Sequence, residues 1–206
     1  MAIFTFESEG KYTLDGVIRY IRGFINKSDE SDYVWYYDGL YLNPEFAARD
    51  MLVHKQLCSK EGGSQYKHYV LSLEENELPI DFNYGAIEGN SQWSVFPRIA
   101  WAIQKLTQCQ IAYAVHTNTD NIHMHIVINS VCLDTWQKVN IDYQLFIKML
   151  QTCDELLHFY GLSSVRGLRY FDRNGNSHTI STESISKKWW DHYPVDNGYL
   201  IPQVSG

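Results

Sequence analysis

HTNTDNIHMHIVIN, residues 116–129, places three of the chain's eight histidines within ten positions and ends in an apolar run. Side chains on a strand alternate faces, so His123, His125, Val127 and Asn129 share one face, and Ile122, Met124, Ile126 and Ile128 share the other. The second set is wholly apolar and is expected to pack on helices. The first then presents two imidazoles on the exposed side of a sheet, with α-carbons roughly 7 Å apart. In the preceding QIAYAVHT (110–117), Ala112, Ala114 and His116 alternate with Ile111, Tyr113 and Val115. A turn over residues 117–121 brings His116 back beside His123 and His125, and the two alanines leave space there. Three neutral imidazoles with open coordination positions suit a catalytic divalent cation such as Mn²⁺, Mg²⁺ or Zn²⁺ better than a closed structural zinc. Asp120, Asn121 and Asn129 are candidates to orient the imidazoles from outside, although Asx residues also build tight turns, the better reading of Asn118.

With 206 residues and 45% hydrophobic composition the chain is long enough to bury a core. No window is long and apolar enough to span a bilayer, and MAIFTFESEG lacks the layout of a secretory signal, so the expected compartment is the cytoplasm. Cys58, Cys109, Cys132 and Cys153 form no CxxC or CxxH pair, which excludes a zinc ribbon and a disulfide framework. The net charge of −7 disfavours a polyanion partner until its distribution is considered. Residues 28–50 and 74–88 together carry −10, so the remainder is +3. A basic face is therefore available on an acidic protein.

Periodicity predicts a strand over residues 2–6 and a helix over 14–25. The aromatic, acidic stretch 28–46 reads as an extended segment or hairpin, with a turn at Asp38-Gly39 and a helix beginning near Pro44. Gly62-Gly63 breaks that helix. QYKHYVLSL (65–73) reads as a strand, residues 93–106 as an amphipathic helix, and 143–160 as another, ended by Gly161. Interleaved strands and helices with a direct hairpin imply an α+β sandwich. The main domain is assigned to residues 1–165. Residues 166–206 read as a less regular, basic and aromatic extension packed on the same domain, with a hairpin turning at residues 173–175.

A metal needs a reaction partner. Activated water would make a hydrolase, and a side-chain nucleophile a covalent transferase. The chain has fifteen tyrosines, and a phenol can attack a phosphodiester once its deprotonation is assisted. At about 100° per residue, Tyr20 lies at the border of the stripe formed by Leu14, Val17, Ile18, Ile21 and Ile25, beside Arg19 and Arg22. From there it either leans over a metal-bearing sheet face or snorkels at the edge of the core.

LDGVIRYIRGFINKS (14–28), GGSQYKHYVLSL (62–73) and HTNTDNIHMHIVINSV (116–131), in this order, resemble the three motifs of the MOBP-type conjugative relaxases, mobilisation nucleases of the HUH endonuclease superfamily. The similarity runs from about residue 10 to about 165. It implies an HUH palm, a central antiparallel sheet of about five strands with flanking helices and a metal on its open face. It also implies nicking of one strand at a plasmid or integrative-element origin of transfer. Tyr20 matches the motif tyrosine that forms a 5′-phosphotyrosyl adduct and releases a 3′-OH, and His116, His123 and His125 match the ligands of the divalent ion. His68 of the second motif is a candidate to contact a phosphate or to help deprotonate the tyrosine. Lys27-Ser28 matches a DNA-backbone contact, and Asn118 stands where many relatives have aspartate.

Implied partners are single-stranded or hairpin origin DNA, relaxosome accessory proteins and a type IV secretion coupling protein in a bacterial cytoplasm. Arg19, Arg22, Arg166, Arg169, Lys187 and Lys188, with Trp189, Trp190 and Tyr193, suit phosphate contact and base stacking. Two other readings share the motifs: a rolling-circle replication initiator nuclease and a DNA-binding module that does not cleave. Should Tyr20 not be the nucleophile, Tyr12, Tyr33, Tyr36, Tyr37, His54 and His68 follow.

Overall fold

A computed structural model describes residues 2–8, 13–24, 34–78, 92–171 and 177–184. The strands are β1 (Ala2–Ser8), β2 (Val34–Leu40), β3 (Tyr66–Ser72), β4 (Cys109–His116), β5 (His123–Cys132), β6 (Val165–Phe171) and β7 (Ser177–Ser181). The helices are α1 (Leu14–Ile21), α2 (Ala47–Leu57), α3 (Val95–Thr107) and α4 (Tyr143–Phe159). All seven strands form one sheet in the order β2-β4-β5-β3-β1-β6-β7. Every neighbouring pair is antiparallel except β1 and β6. The α+β class and central antiparallel sheet are as expected, and the described residues carry seven strands where about five were expected. The two beyond β1, at one edge of the sheet, are β6 and β7, which come from a stretch expected to be less regular. Gly167 and the polar residues of 177–181 obscure their alternation; β6 forms by pairing with β1, and β7 by pairing with β6. The turn expected at residues 173–175 lies outside the described residues.

Two local differences have local causes. The chain does not turn at Asp38-Gly39, since both lie within β2. A β-carbon at Gly39 would collide with the Leu42 side chain, which folds back over it, and the backbone reverses afterwards at Tyr41, with φ 60°. Helix α1 starts at a Thr13 cap, whose Oγ1 accepts from Gly16 N, and stops at Ile21, four residues short of the apolar pattern. Gly23 takes φ 80°, and Phe24 N bonds to Arg19 O, closing the helix and leaving Phe24 exposed.

The sheet is covered on both faces. Helices α3 and α4 cover the face of Met124, Ile126 and Ile128, burying Ile99, Ile103, Phe146, Met149 and Leu157 against it. On the opposite face, α1 and α2 lay Leu14, Val17, Ile18, Ile21, Ala47 and Met51 over Tyr66, Ala112, Ala114 and Val127. The histidine face, expected to be open, is thus the floor of a second, smaller core.

Candidate metal centre

Strands β4 and β5 pair with His116 opposite His123 and Ala114 opposite His125, so the three imidazoles share one face at the turn end of the hairpin. Their ring centroids lie 5.3 Å (His116 to His123), 4.4 Å (His116 to His125) and 5.1 Å (His123 to His125) apart. One nitrogen from each falls within 4.8 Å of the others. His116 and His125 are buried, while His123 is partly exposed.

Each ring is held by a nitrogen it does not need for an ion. The carbonyl of Ile21, one of the unsatisfied acceptors at the C-terminus of α1, lies 2.7 Å from His116 Nε2, so that nitrogen donates and Nδ1 keeps its lone pair. His123 Nδ1 sits 3.0 Å from the carbonyl of Asn121, which leaves Nε2 for coordination. Nε2 of His125 is buried without a hydrogen-bond partner, although buried nitrogens are normally satisfied. Burial lowers the basicity of all three, His116 to about 4 and His125 well below the usual imidazole range. They are therefore neutral at pH 7, the form that binds metals. The donor set fits a divalent cation and leaves positions for water or substrate.

His68 lies on β3 beside this group, with its Nε2 3.0 Å from His125 Nδ1. Burial lowers its basicity to about 3, so it too is neutral. Tyr20, on α1 and one residue before the carbonyl that holds His116, is half-buried. Its ring meets His125 edge-on at 5.4 Å and His68 at 6.3 Å. The alternative nucleophiles Tyr36 and Tyr37 have their hydroxyls engaged elsewhere. Tyr37 donates to the carbonyl of Pro44 and is pushed up to about 12 by burial, while Tyr36 donates to Asp38 from the α3 side. His54 has its Nε2 3.2 Å from the carbonyl of Cys132. Tyr12 and Tyr33 are outside the described residues.

The candidate orienting residues differ in placement. Asn121 meets His123 through its backbone carbonyl, while its side chain donates to Leu73 O and ties the turn to the end of β3. Asp120 is exposed in the turn. Asn129 is fully buried and donates to Met51 O and to Gln110 Oε1, two same-face positions beyond His125, where it fastens α2 to the sheet. Thr119 was not singled out from sequence; its hydroxyl donates to Asn121 O and lies 3.4 Å from His123 Nδ1. The S/T-rich turn TNTDN was the available signal. Lys55 and Lys138 were missed as well. They donate to the adjacent carbonyls of Gln65 and Ser64, pinning the entry to β3.

Among the arginines, Arg19 is exposed next to Tyr20. Arg22 donates to Glu45 O and lies over the rings of Phe24 and Tyr37, so it is engaged in joining α1 to the segment before α2. Arg166 is exposed on β6, and the backbone of Arg169 pairs with Thr5 and Thr179. Lys27, Lys187, Lys188, Trp189, Trp190 and Tyr193 are outside the described residues.

Comparison with known proteins adds three findings. The protein rlx of Staphylococcus aureus is 39% identical over 54 residues, a match covering 26% of this chain and 16% of that relative. A solved structure from a study of the molecular basis of vancomycin resistance transfer in Staphylococcus aureus aligns with 63% of this chain and 73% of its own, at a TM-score of 0.40 and 15% identity. The family profile of the relaxase MobA/VirD2-like nuclease domain matches residues 20–162. That match takes in more than half of the chain, from Tyr20 through the histidine hairpin to the end of α4, and the chain belongs to the MobA/VirD2-like relaxase nuclease-domain family.

Proposed function

We propose that this domain nicks one strand of origin-of-transfer DNA in the bacterial cytoplasm by transesterification onto Tyr20, initiating conjugative transfer. The observation that carries the reading is the position of the Tyr20 ring, 5.4 Å from the His125 ring in the three-histidine cluster. His116, His123 and His125 would hold a divalent cation, Mn²⁺ or Mg²⁺ before Zn²⁺, whose positive charge there polarises the scissile phosphate. The Tyr20 oxygen attacks phosphorus as its proton leaves, the bond to the 3′ oxygen breaks, and that oxygen takes up a proton to become a 3′-OH. The phosphodiester energy stays in the 5′-phosphotyrosyl adduct, so rejoining needs no nucleotide cofactor.

The hydrogen bond of the last α1 carbonyl to His116 and the burial of the α1 apolar stripe support this role for Tyr20 by tying the helix to the histidine face. A fixed near-attack geometry is where such an enzyme gains most of its rate. Exposed Arg19 beside Tyr20 suits a backbone phosphate of single-stranded or hairpin DNA, and Arg166, Arg169, Lys27, Lys187 and Lys188 are further proposed phosphate contacts by their charge. Accessory relaxosome proteins and a secretion coupling protein complete the proposed partners. The test is incubation with single-stranded origin DNA and Mn²⁺, followed by denaturing electrophoresis. A slow-migrating protein–oligonucleotide species that disappears with chelator supports the reading. Its absence across the element's own origin sequences overturns it.

A further inference from the structure

Strand β3 pairs with β5 so that His68 stands opposite Val127, one same-face step from His125. That diagonal relation across an antiparallel pair is within reach of two imidazoles. It brings His68 Nε2 to 3.0 Å from His125 Nδ1, with the rings inclined at 29°. We infer that His68 is a positioning residue: its Nε2 accepts the proton-bearing Nδ1 of His125, fixing the tautomer in which His125 Nε2 presents a lone pair to the ion. The inference rests on the metal reading of the three-histidine cluster.

The direction of this hydrogen bond follows from the other end of the His125 ring. If His68 donated instead, a neutral His125 would carry its proton on Nε2. That nitrogen is buried and has no acceptor, and a buried donor left unpaired costs about 1–3 kcal/mol. With the proton on Nδ1 the donor is satisfied, and Nε2 keeps a lone pair for an ion held together with His116 and His123, whose ring centroids lie 4.4 and 5.1 Å from that of His125. His68 then holds its own proton on Nδ1. The same logic governs the other two ligands, whose outer nitrogens are held by the carbonyls of Ile21 and Asn121. His125 differs in that its outer partner is a side chain, and so is open to substitution. His68 is 2% exposed, so any direct contact with a phosphate would require it to leave this pocket.

The experiment compares wild type, His68→Phe and His68→Gln in the full chain. His68→Phe keeps a ring and removes the acceptor, whereas the amide oxygen of His68→Gln restores one near the position of Nε2. Nitrogen-15 NMR of the metal-free protein reads the His125 tautomer, and calorimetric titration with Mn²⁺ reads affinity. The expected result is Nδ1–H on His125 in wild type, loss of that tautomer in His68→Phe with about 10–100-fold weaker Mn²⁺ binding, and recovery of both in His68→Gln. A folded His68→Phe variant that keeps the tautomer and the affinity overturns the inference. So does a wild-type His125 protonated on Nε2, even where Mn²⁺ still binds. Failure of wild type to bind Mn²⁺, Mg²⁺ or Zn²⁺ at all overturns the metal reading itself, which the NMR measurement distinguishes because it needs no ion.

Discussion

The two faces of the sheet are built from the same strands and do opposite things. Under α3 and α4, β5 contributes Met124, Ile126 and Ile128, and Phe146, Met149 and Ile103 pack with them at full burial. Under α1 and α2 the covering stripe is shorter, the sheet contributes Ala112 and Ala114 where the other face has Ile111, Tyr113 and Val115, and four imidazoles replace aliphatic side chains. The first face secures the fold by apolar burial. The second gives up part of that burial so that neutral imidazole nitrogens stay available. Proteins tolerate such local sacrifice when a larger core elsewhere carries the stability.

Substitutions on each face should separate these roles. Tyr20→Phe is expected to have the largest effect, complete loss of the covalent DNA adduct with Mn²⁺ affinity and melting temperature unchanged; electrophoresis with titration calorimetry decides it. His125→Ala should weaken Mn²⁺ binding by at least about 100-fold and eliminate the adduct. An adduct at wild-type yield from that variant would remove the histidine face from the chemistry. Phe146→Ala, on the other face, should cost about 3–5 kcal/mol in denaturant unfolding while the folded fraction binds Mn²⁺ as wild type does. Ala114→Val adds volume opposite His125 at a fully buried position of the α1 face and is expected to cost about 1–3 kcal/mol and to disturb metal affinity.

The smallest effect concerns Lys55, wholly buried on α2 with its Nζ on the carbonyl of Gln65 and its basicity lowered to about 8 by burial. Its folded value lies below the usual lysine value, so folding opposes its charge. That penalty is full below about pH 8 and fades as pH rises towards 10.5. Wild type should therefore gain stability relative to Lys55→Met across that interval. A gap that is constant with pH would mean the ammonium is as well solvated in the fold as in the unfolded chain.

Legibility differed between the faces for a physical reason. Alternation along residues 122–128 identifies β5 and sorts its side chains because the strand repeat of two is a covalent property of the chain. Apolar spacing located α1, α3 and α4 to within a few residues, erring at the end of α1 because Gly23 outweighed the apolar Phe24 and Ile25 that follow. Asn129 shares a face with the histidines but sits too far along it to touch them, so sharing a face did not establish proximity.

The amino-acid order alone determined the hairpin that gathers His116, His123 and His125, since short-range alternation and a five-residue turn suffice to place them together. Only the tertiary structure decided that this face is covered, that β3 lies beside β5, and that His68 and the end of α1 hold the nitrogens of His125 and His116. Those contacts join residues 57 and 95 positions apart in the chain. They depend on strand order and helix docking, which are set by the summed burial of both faces and leave no periodic trace in the sequence.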